Sequence, residues 1–148
     1  MSLFIEENDL IKITIRYFNQ GNKLTIFKEG EPKEPIAGKV ETDTFELRIP
    51  NWEDSVKIAT ASTLVNGNTG AVIVNPHIYT DTKIKLLLKK WSLKDKDGNS
   101  VLVTEEKINK LHPKMIEAID YEFNKETILN FCVPEIKEPD ETTPVLNS

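Results

Sequence analysis

The chain has little cysteine and little histidine, with one and two residues respectively among 148. A single cysteine excludes a disulfide within one chain and is consistent with a reducing compartment. Basic residues are not in excess either, since 19 Lys and Arg against 24 Asp and Glu give a net charge of −5. This balance argues against a dedicated nucleic-acid-binding protein, which usually carries a basic surface.

Long apolar segments are also missing. No stretch approaches the roughly 20 apolar residues that a membrane-spanning helix needs. The first ten residues contain early acidic residues and no basic flank, which is not the pattern of a signal peptide. Hydrophobic residues at 39% and charged residues at 29% are typical of a soluble globular protein. We therefore expect one domain with its own core, working in the cytoplasm.

The first fifty residues have the alternating pattern of β-strands. In residues 11–18, IKITIRYF, β-branched residues alternate with polar ones, which predicts a half-buried strand. The segment KLTIF predicts a second strand and residues 40–49 a third. Between them, EGEPKEPIAG is too rich in proline and glycine to continue a strand. Residues 1–50 are therefore predicted to form a small antiparallel meander.

Beyond these strands the pattern becomes helical. Asn51 is predicted to cap a helix, and acidic residues in the first turn favour it because they meet the positive end of the helix dipole. Its apolar stripe would consist of Trp52, Val56, Ala59 and Thr63. The following NGNTG is predicted to be a turn, because the lysine of a phosphate loop is missing. The segment AVIV after it is too short to assign.

Two further amphipathic helices are predicted. One begins near Asp81, and its apolar residues are spaced i, i+3, i+4 and i+7. They are Ile84, Leu87, Leu88 and Trp91. The other begins at Pro113, because proline is favoured at the first position of a helix. Its buried face is formed by Met115, Ile116, Ile119 and Phe123. The fold class is therefore α+β in a single domain over residues 1–131, with residues 51–131 mainly helical and residues 132–148 a flexible acidic tail containing proline.

The stretch DKDGN has the composition of a calcium loop without its spacing. An EF-hand loop requires oxygen ligands at positions 1, 3, 5 and 12 and glycine at position 6. With Gly98 at position 6, position 1 is Leu93 and position 12 is Thr104. Starting the loop at Asp95 instead places serine at position 6. We therefore predict a hairpin turn at the Asp-Gly dipeptide, followed by a helix that Thr104 caps.

The other reactive side chains have no partners in the sequence. His77 and His112 are not at metal-ligand spacing, and Cys132 has no neighbouring base that would activate it. The segment KIKLLLKK, residues 83–90, places lysines beside an apolar stripe. That pattern is typical of a core-facing helix with solvated lysines, or of a helix that contacts an acidic protein or a membrane surface. No catalytic residue, cofactor or metal site is predicted.

The second half of the chain resembles small tail-assembly proteins of bacteriophages. A tryptophan is followed by an acidic turn and then by a helix-Pro-helix unit. The residues that carry this resemblance are Trp91, Leu93, Asp95, Asp97, Gly98, Val101, Val103, Thr104, Glu106, Ile108, Leu111, Pro113, Ile116 and Ile119. The segment FELRIPNW is similar to the strand-to-helix transition of the same proteins. The resemblance covers about residues 45–123 and is structural rather than catalytic.

This resemblance implies a non-enzymatic factor of the tail assembly chaperone kind. Such a factor would bind an aggregation-prone helical protein partner, such as a tape-measure protein, in the host cytoplasm, without nucleic acid, membrane or cofactor. Its binding surface would be an exposed apolar groove. The predicted partner-binding residues are Leu87, Leu88, Trp91, Met115, Ile119 and Phe123. The alternative is a small structural subunit of the tail, neck or baseplate that is retained in the virion, and a homo-oligomer is compatible with both.

Overall fold

The computed structural model describes residues 3–28 and 40–130 and confirms the predicted α+β class. The strands are β1 (Leu10–Gln20), β2 (Lys23–Phe27), β3 (Glu41–Arg48), β4 (Thr63–Val65), β5 (Val72–Val74) and β6 (Leu88–Trp91). The helices are α1 (Trp52–Ser62), α2 (Pro76–Leu87), α3 (Glu105–Asn109) and α4 (Pro113–Asn130). The predicted acidic tail, Cys132 and the EGEPKEPIAG segment lie outside the described residues.

A four-stranded antiparallel sheet in the order β2-β1-β3-β6 forms the centre of the fold. The three predicted N-terminal strands are confirmed, because the alternating pattern of β1 places Ile11, Ile13 and Ile15 on the buried face. The turn between β1 and β2 contains Gly21 at a φ of 61°, a left-handed conformation that glycine adopts without a steric cost. The sheet therefore follows from local sequence signals up to β3.

The core lies between this sheet and helices α2 and α4. Phe45 and Leu47 of β3 are fully buried, as are Ile84 of α2 and Ile119 of α4. Burying a side chain of this size contributes about 1.5–3 kcal/mol relative to leaving it in water. The predicted buried face of α4 is thus confirmed for Met115, Ile119 and Phe123, whereas Ile116 is only partly buried. This helix fixes the sheet to the C-terminal half.

The predicted helix through Trp91 is wrong in its last turn. Helix α2 begins at Pro76, where Asn75 caps it, and ends at Leu87. Leu88–Trp91 is β6, which pairs with the outer edge of β3. The unpaired backbone groups along β3 offer hydrogen bonds to an extended segment, and Leu88 is buried equally well in a strand. Tertiary pairing therefore overrides the helical spacing.

The start of α1 is confirmed, but its predicted apolar stripe is wrong. Asn51 and Asp54 form a capping box, in which each side chain accepts the backbone N–H of the other residue. Trp52 is 82% exposed, and the inward-facing residues of α1 are Asp54, Ile58 and Ser62. The inward face of α1 therefore includes Asp54, which Arg48 binds and which a hydropathy pattern would assign to the exposed face.

The predicted turn and helix cap after β6 are confirmed. Gly98 has a φ of 82°, and the Asp95 carboxylate accepts the backbone N–H groups of Asp97 and Asn99 at 2.9 Å each. The Thr104 hydroxyl accepts the Lys107 N–H and so caps α3. The Asp95 carboxylate of DKDGN therefore stabilises the turn.

Candidate functional site

Five of the six residues that the sequence assigned to a partner-binding groove are buried in the core. Leu87, Leu88, Met115, Ile119 and Phe123 are each at most 5% exposed. The sixth, Trp91, is partly buried, and its Nε1–H donates to the backbone carbonyl of Val101 at 2.6 Å. The prediction that these five residues line an exposed groove is therefore wrong, because the chain's own sheet covers them.

An open apolar cleft lies on a neighbouring face of helices α2 and α4. It has a volume of about 550 Å³ and runs between α2, α3 and the start of α4. Its apolar lining includes Ile84, Ile108, Leu111 and Ile116. Ile84 and Ile108 are buried within the folded chain, whereas Leu111 and Ile116 are partly exposed. We call this surface the α2–α4 cleft.

The polar residues around the α2–α4 cleft carry more negative than positive charge. Asp81 and Glu117 are the acidic residues that line it, beside His77, Thr80 and Asn109. Asp81 pairs with Lys85 one turn along α2 at 3.0 Å, an i, i+4 pair in which Asp81 is exposed and Lys85 is partly buried. The cleft therefore combines an aliphatic lining with polar and acidic edges.

A buried ionic cluster joins α2 to α4. Lys83 is 7% exposed, and its ammonium lies 3.0 Å from Asp120 Oδ1 and donates to the side-chain oxygen of Asn124. The same ammonium lies 5.4 Å from the ring centre of Phe123, within the range of a cation–π contact. Asp120 Oδ1 is buried and receives no directed hydrogen bond within the described chain, so its compensation is Coulombic. This arrangement holds two helices together and offers no free base.

A second ionic contact fixes α1 to the end of β3. Arg48 donates to both carboxylate oxygens of Asp54, at 2.5 and 2.7 Å, in the bidentate geometry that guanidinium and carboxylate favour. These hydrogen bonds from Arg48 are the main cause that lowers the pKa of Asp54 below its usual range, and they also raise the pKa of Arg48. Both groups stay charged at neutral pH, so this pair is structural.

A third polar cluster links β1, β3 and the chain after β6. The Tyr17 hydroxyl donates to one oxygen of Asp43, and the Ser92 hydroxyl donates to the other at 2.7 Å. Burial, followed by the hydrogen bond to Asp43, raises the pKa of Tyr17 far above its ordinary value. A phenol that resists ionisation in this way is neither a base nor a nucleophile at neutral pH.

A further surface, which the sequence does not predict, is the hairpin of β4 and β5. We call it the apolar ribbon (residues 63–74). Its large side chains are 55–67% exposed and are Leu64, Val65, Val72, Ile73 and Val74. The predicted turn at NGNTG is confirmed as its tip, where Gly70 has a φ of 70°. One sequence signal could have found the ribbon, because residues 58–80 contain no Asp, Glu, Lys or Arg.

Neither histidine lies in a ligand cluster. Across residues 3–28 and 40–130, no three side chains of His, Cys, Asp or Glu come together as a metal site would require. His112 accepts the Lys114 N–H through Nδ1 at the junction of α3 and α4, and His77 borders the α2–α4 cleft. In the same part of the chain, none of the helices has the length and apolar character needed to span a bilayer.

Comparisons with protein-family models, with curated proteins and with solved structures found no match to this chain.

Proposed function

We propose that this protein is a non-enzymatic bacteriophage tail-assembly factor that binds an aggregation-prone helical partner, such as a tape-measure protein. The resemblance over residues 45–123 supports the phage context. The observation that carries the binding role is the α2–α4 cleft, an open apolar surface on a chain that is otherwise rich in charge. That the factor has no enzymatic activity stays a prediction.

The shape and lining of the cleft suit one face of an amphipathic helix. A helix binds in a groove through apolar residues at i, i+3 or i+4 and i+7, which enter between the helices of the receptor. Leu111 and Ile116 would contact that apolar stripe, and Asp81 and Glu117 would face its edges. Opposite charges across an interface favour correct partners and faster association. We therefore expect a partner helix with lysine or arginine beside its apolar stripe.

The test is a pull-down of the full chain, tagged at Met1, from cells that express its native gene neighbourhood. Mass spectrometry would be applied both to the soluble complexes and to purified particles. The proposal expects one long helical partner in the soluble complex and no copy of this chain in finished particles. Recovery without any such partner would contradict it.

A matched pair of variants on α4 links that result to the cleft. Ile116→Arg places a charge on the partly exposed lining of the cleft, whereas Tyr121→Arg places the same charge on an exposed position of α4 outside it. The long stem of arginine covers apolar surface while its head reaches water, so both variants are expected to fold. We expect Ile116→Arg to lose the helical partner and Tyr121→Arg to keep it. Circular dichroism would confirm the fold of both.

The second candidate is a small structural subunit retained in the tail, neck or baseplate. The apolar ribbon favours it, because large apolar surface left uncovered on a monomer is typical of a permanent interface. Fixed stoichiometry of this chain inside purified particles would support the structural subunit and contradict the assembly factor.

A further inference from the structure

We propose that two copies of this chain associate through the outer edge of β5, forming one antiparallel sheet in the order β4-β5-β5-β4. This inference is independent of the proposed function, because it uses the apolar ribbon and not the α2–α4 cleft. It commits the ribbon to a second copy of the chain as its partner.

The hydrogen-bond pattern of the ribbon shows which backbone groups face outward. Asn75 N–H donates to the Ser62 carbonyl, and Asn66 N–H donates to the Ala71 carbonyl, at 2.8 Å each. In an antiparallel pair, residues with mutual hydrogen bonds alternate with residues whose N–H and C=O point away from the partner strand. The register Thr63↔Val74, Leu64↔Ile73 and Val65↔Val72 therefore directs the backbone groups of Val72 and Val74 outward.

These outward groups are open and complementary to themselves. The two-stranded sheet has no neighbour on the β5 side within the described residues, so Val72 and Val74 present unpaired donors and acceptors. A twofold axis through Ile73 places Val72 of one copy opposite Val74 of the other. This register gives two mutually hydrogen-bonded pairs and four backbone hydrogen bonds, following the antiparallel geometry.

The large side chains of the ribbon lie on both of its faces. Leu64 and Ile73 lie opposite each other and point to one face, while Val65, Val72 and Val74 point to the other. Each of these five side chains is more than half exposed. An isolated two-stranded hairpin is at best marginally stable in water, and independent stability needs three or more strands with an apolar face or packing against a helix. Pairing two ribbons doubles the strand number to four.

The charge distribution is compatible with a second copy of the chain as the partner. Two chains that each carry a net charge of −5 repel one another over most of their surface. Residues 58–80 contain no acidic or basic side chain, so the ribbon is a surface where two copies meet without like charges in contact. Edge strands that must stay unpaired usually carry a lysine, a proline or a bulge, and β5 has none of these.

The test is sedimentation velocity of the full chain over a wide concentration series, combined with amide hydrogen exchange. We expect the mass to rise from 16.9 kDa to twice that value with concentration. The amides of Val72 and Val74 should exchange more slowly as the dimer forms. A single-chain mass throughout, with both amides exchanging as freely exposed ones, would overturn the proposal. A monomer in which these amides slow only on addition of a tail protein would also overturn it, and would assign the β5 edge to that protein.

Two lysine substitutions distinguish pairing through the β5 edge from non-specific association of the apolar ribbon. Ile73→Lys places two ammonium groups against each other at the twofold axis, and we expect it to lose the doubled mass. Leu64→Lys is the matched control, since Leu64 lies opposite Ile73 on the same face, is similarly exposed, and belongs to β4. This variant should keep the dimer. A dimer that survives Ile73→Lys, or one that both variants abolish equally, would refute pairing through β5.

A proline substitution tests the backbone hydrogen bonds directly. Val72→Pro removes an outward N–H while leaving the mutual hydrogen bonds between Leu64 and Ile73 in place. We expect this variant to keep the far-ultraviolet circular dichroism of the native protein and to lose the doubled mass. Retention of the dimer in this variant would overturn the proposed register.

Discussion

Removing the Asp120 carboxylate should destabilise the protein because the Lys83 ammonium would stay inside without its counter-charge. The Lys83 side chain is 9% exposed, and it lies 3.0 Å from Asp120 Oδ1. Breaking a buried ion pair from one side costs about 3–5 kcal/mol, since a charge is left uncompensated away from water. The Asp120 side chain is 23% exposed, and Asn124 still accepts from the ammonium. We therefore expect Asp120→Ala to lower the free energy of unfolding by about 2–3 kcal/mol, at or below the low end of that range.

The double variant separates the charge from the packing. Lys83→Met removes the ammonium but keeps an unbranched chain against Phe123 and Tyr79. In the presence of Lys83→Met, the loss in free energy of unfolding caused by Asp120→Ala should fall below about 1 kcal/mol, because no buried ammonium is left without its counter-charge. The assay is urea unfolding followed by tryptophan fluorescence for the native chain, both single variants and the double variant.

Two results would refute this reasoning. If Asp120→Ala costs less than about 0.5 kcal/mol, the ammonium reaches water by a change of side-chain rotamer, and the pair does not join the helices. If the two substitutions are additive, the ammonium and the carboxylate are not coupled, whatever their separation.

Three further predictions concern the fold and are measured by chemical denaturation. Asp54→Asn should be less stable than the native chain at neutral pH. Because the pKa of Asp54 is lowered, its contribution is complete above the ordinary carboxyl pKa of about 4 and is lost as the pH falls toward the lowered value. The gap between the two proteins should therefore close on acidification, and a pH-independent gap would contradict this. Leu88→Ala and Ile119→Ala should each cost about 2–5 kcal/mol, and a loss below about 0.5 would show that the site is not core. Gly98→Ala should cost about 1 kcal/mol because its φ is positive, while Gly67→Ala, with open space and no positive φ, should be near neutral.

Local chemistry made the N-terminal sheet and the helix starts predictable. Alternation of isoleucine with polar residues in β1 predicts a strand with one buried face, since successive side chains of a strand point to opposite faces. Asn51, Thr104 and Pro113 each mark a helix start through the backbone N–H groups that the first turn leaves unsatisfied. These signals depend on residues close in sequence, so no tertiary information was needed.

The predictions that the structure contradicts depend on contacts between residues distant in the sequence. Leu87 and Leu88 satisfy a helical and an extended pattern equally, and the partner that decides between them is β3, some forty residues away in the chain. The inward position of Asp54 depends on Arg48, which reaches it from the end of β3. An apolar stripe also does not reveal what covers it, which is why a predicted binding groove proved to be core.

The candidate surfaces were less accessible to sequence reasoning than the fold. The α2–α4 cleft arises from the spacing of three helices, α2, α3 and α4, which no single apolar stripe encodes, although the sequence predicts Ile84 and Ile116 as apolar positions. The sequence does not predict the apolar ribbon, because three-residue strands are shorter than any periodic pattern can resolve. Its signal is the missing charge over residues 58–80, and that feature points to a surface only once the hairpin is known.

The hydrogen bond from Asn75 N–H to the Ser62 carbonyl closes the base of the apolar ribbon at 2.8 Å. The chain therefore leaves and rejoins the α1–α2 pair at one point, and the residues between these two ends contribute none of the buried core. The entropic cost of closing a loop depends only weakly on loop length. This insertion can therefore become longer or shorter with little effect on the free energy of folding. Substitutions in the apolar ribbon therefore leave the packing of the core unchanged. Descendants of this chain would be free to acquire new contacts there while inheriting an unchanged scaffold.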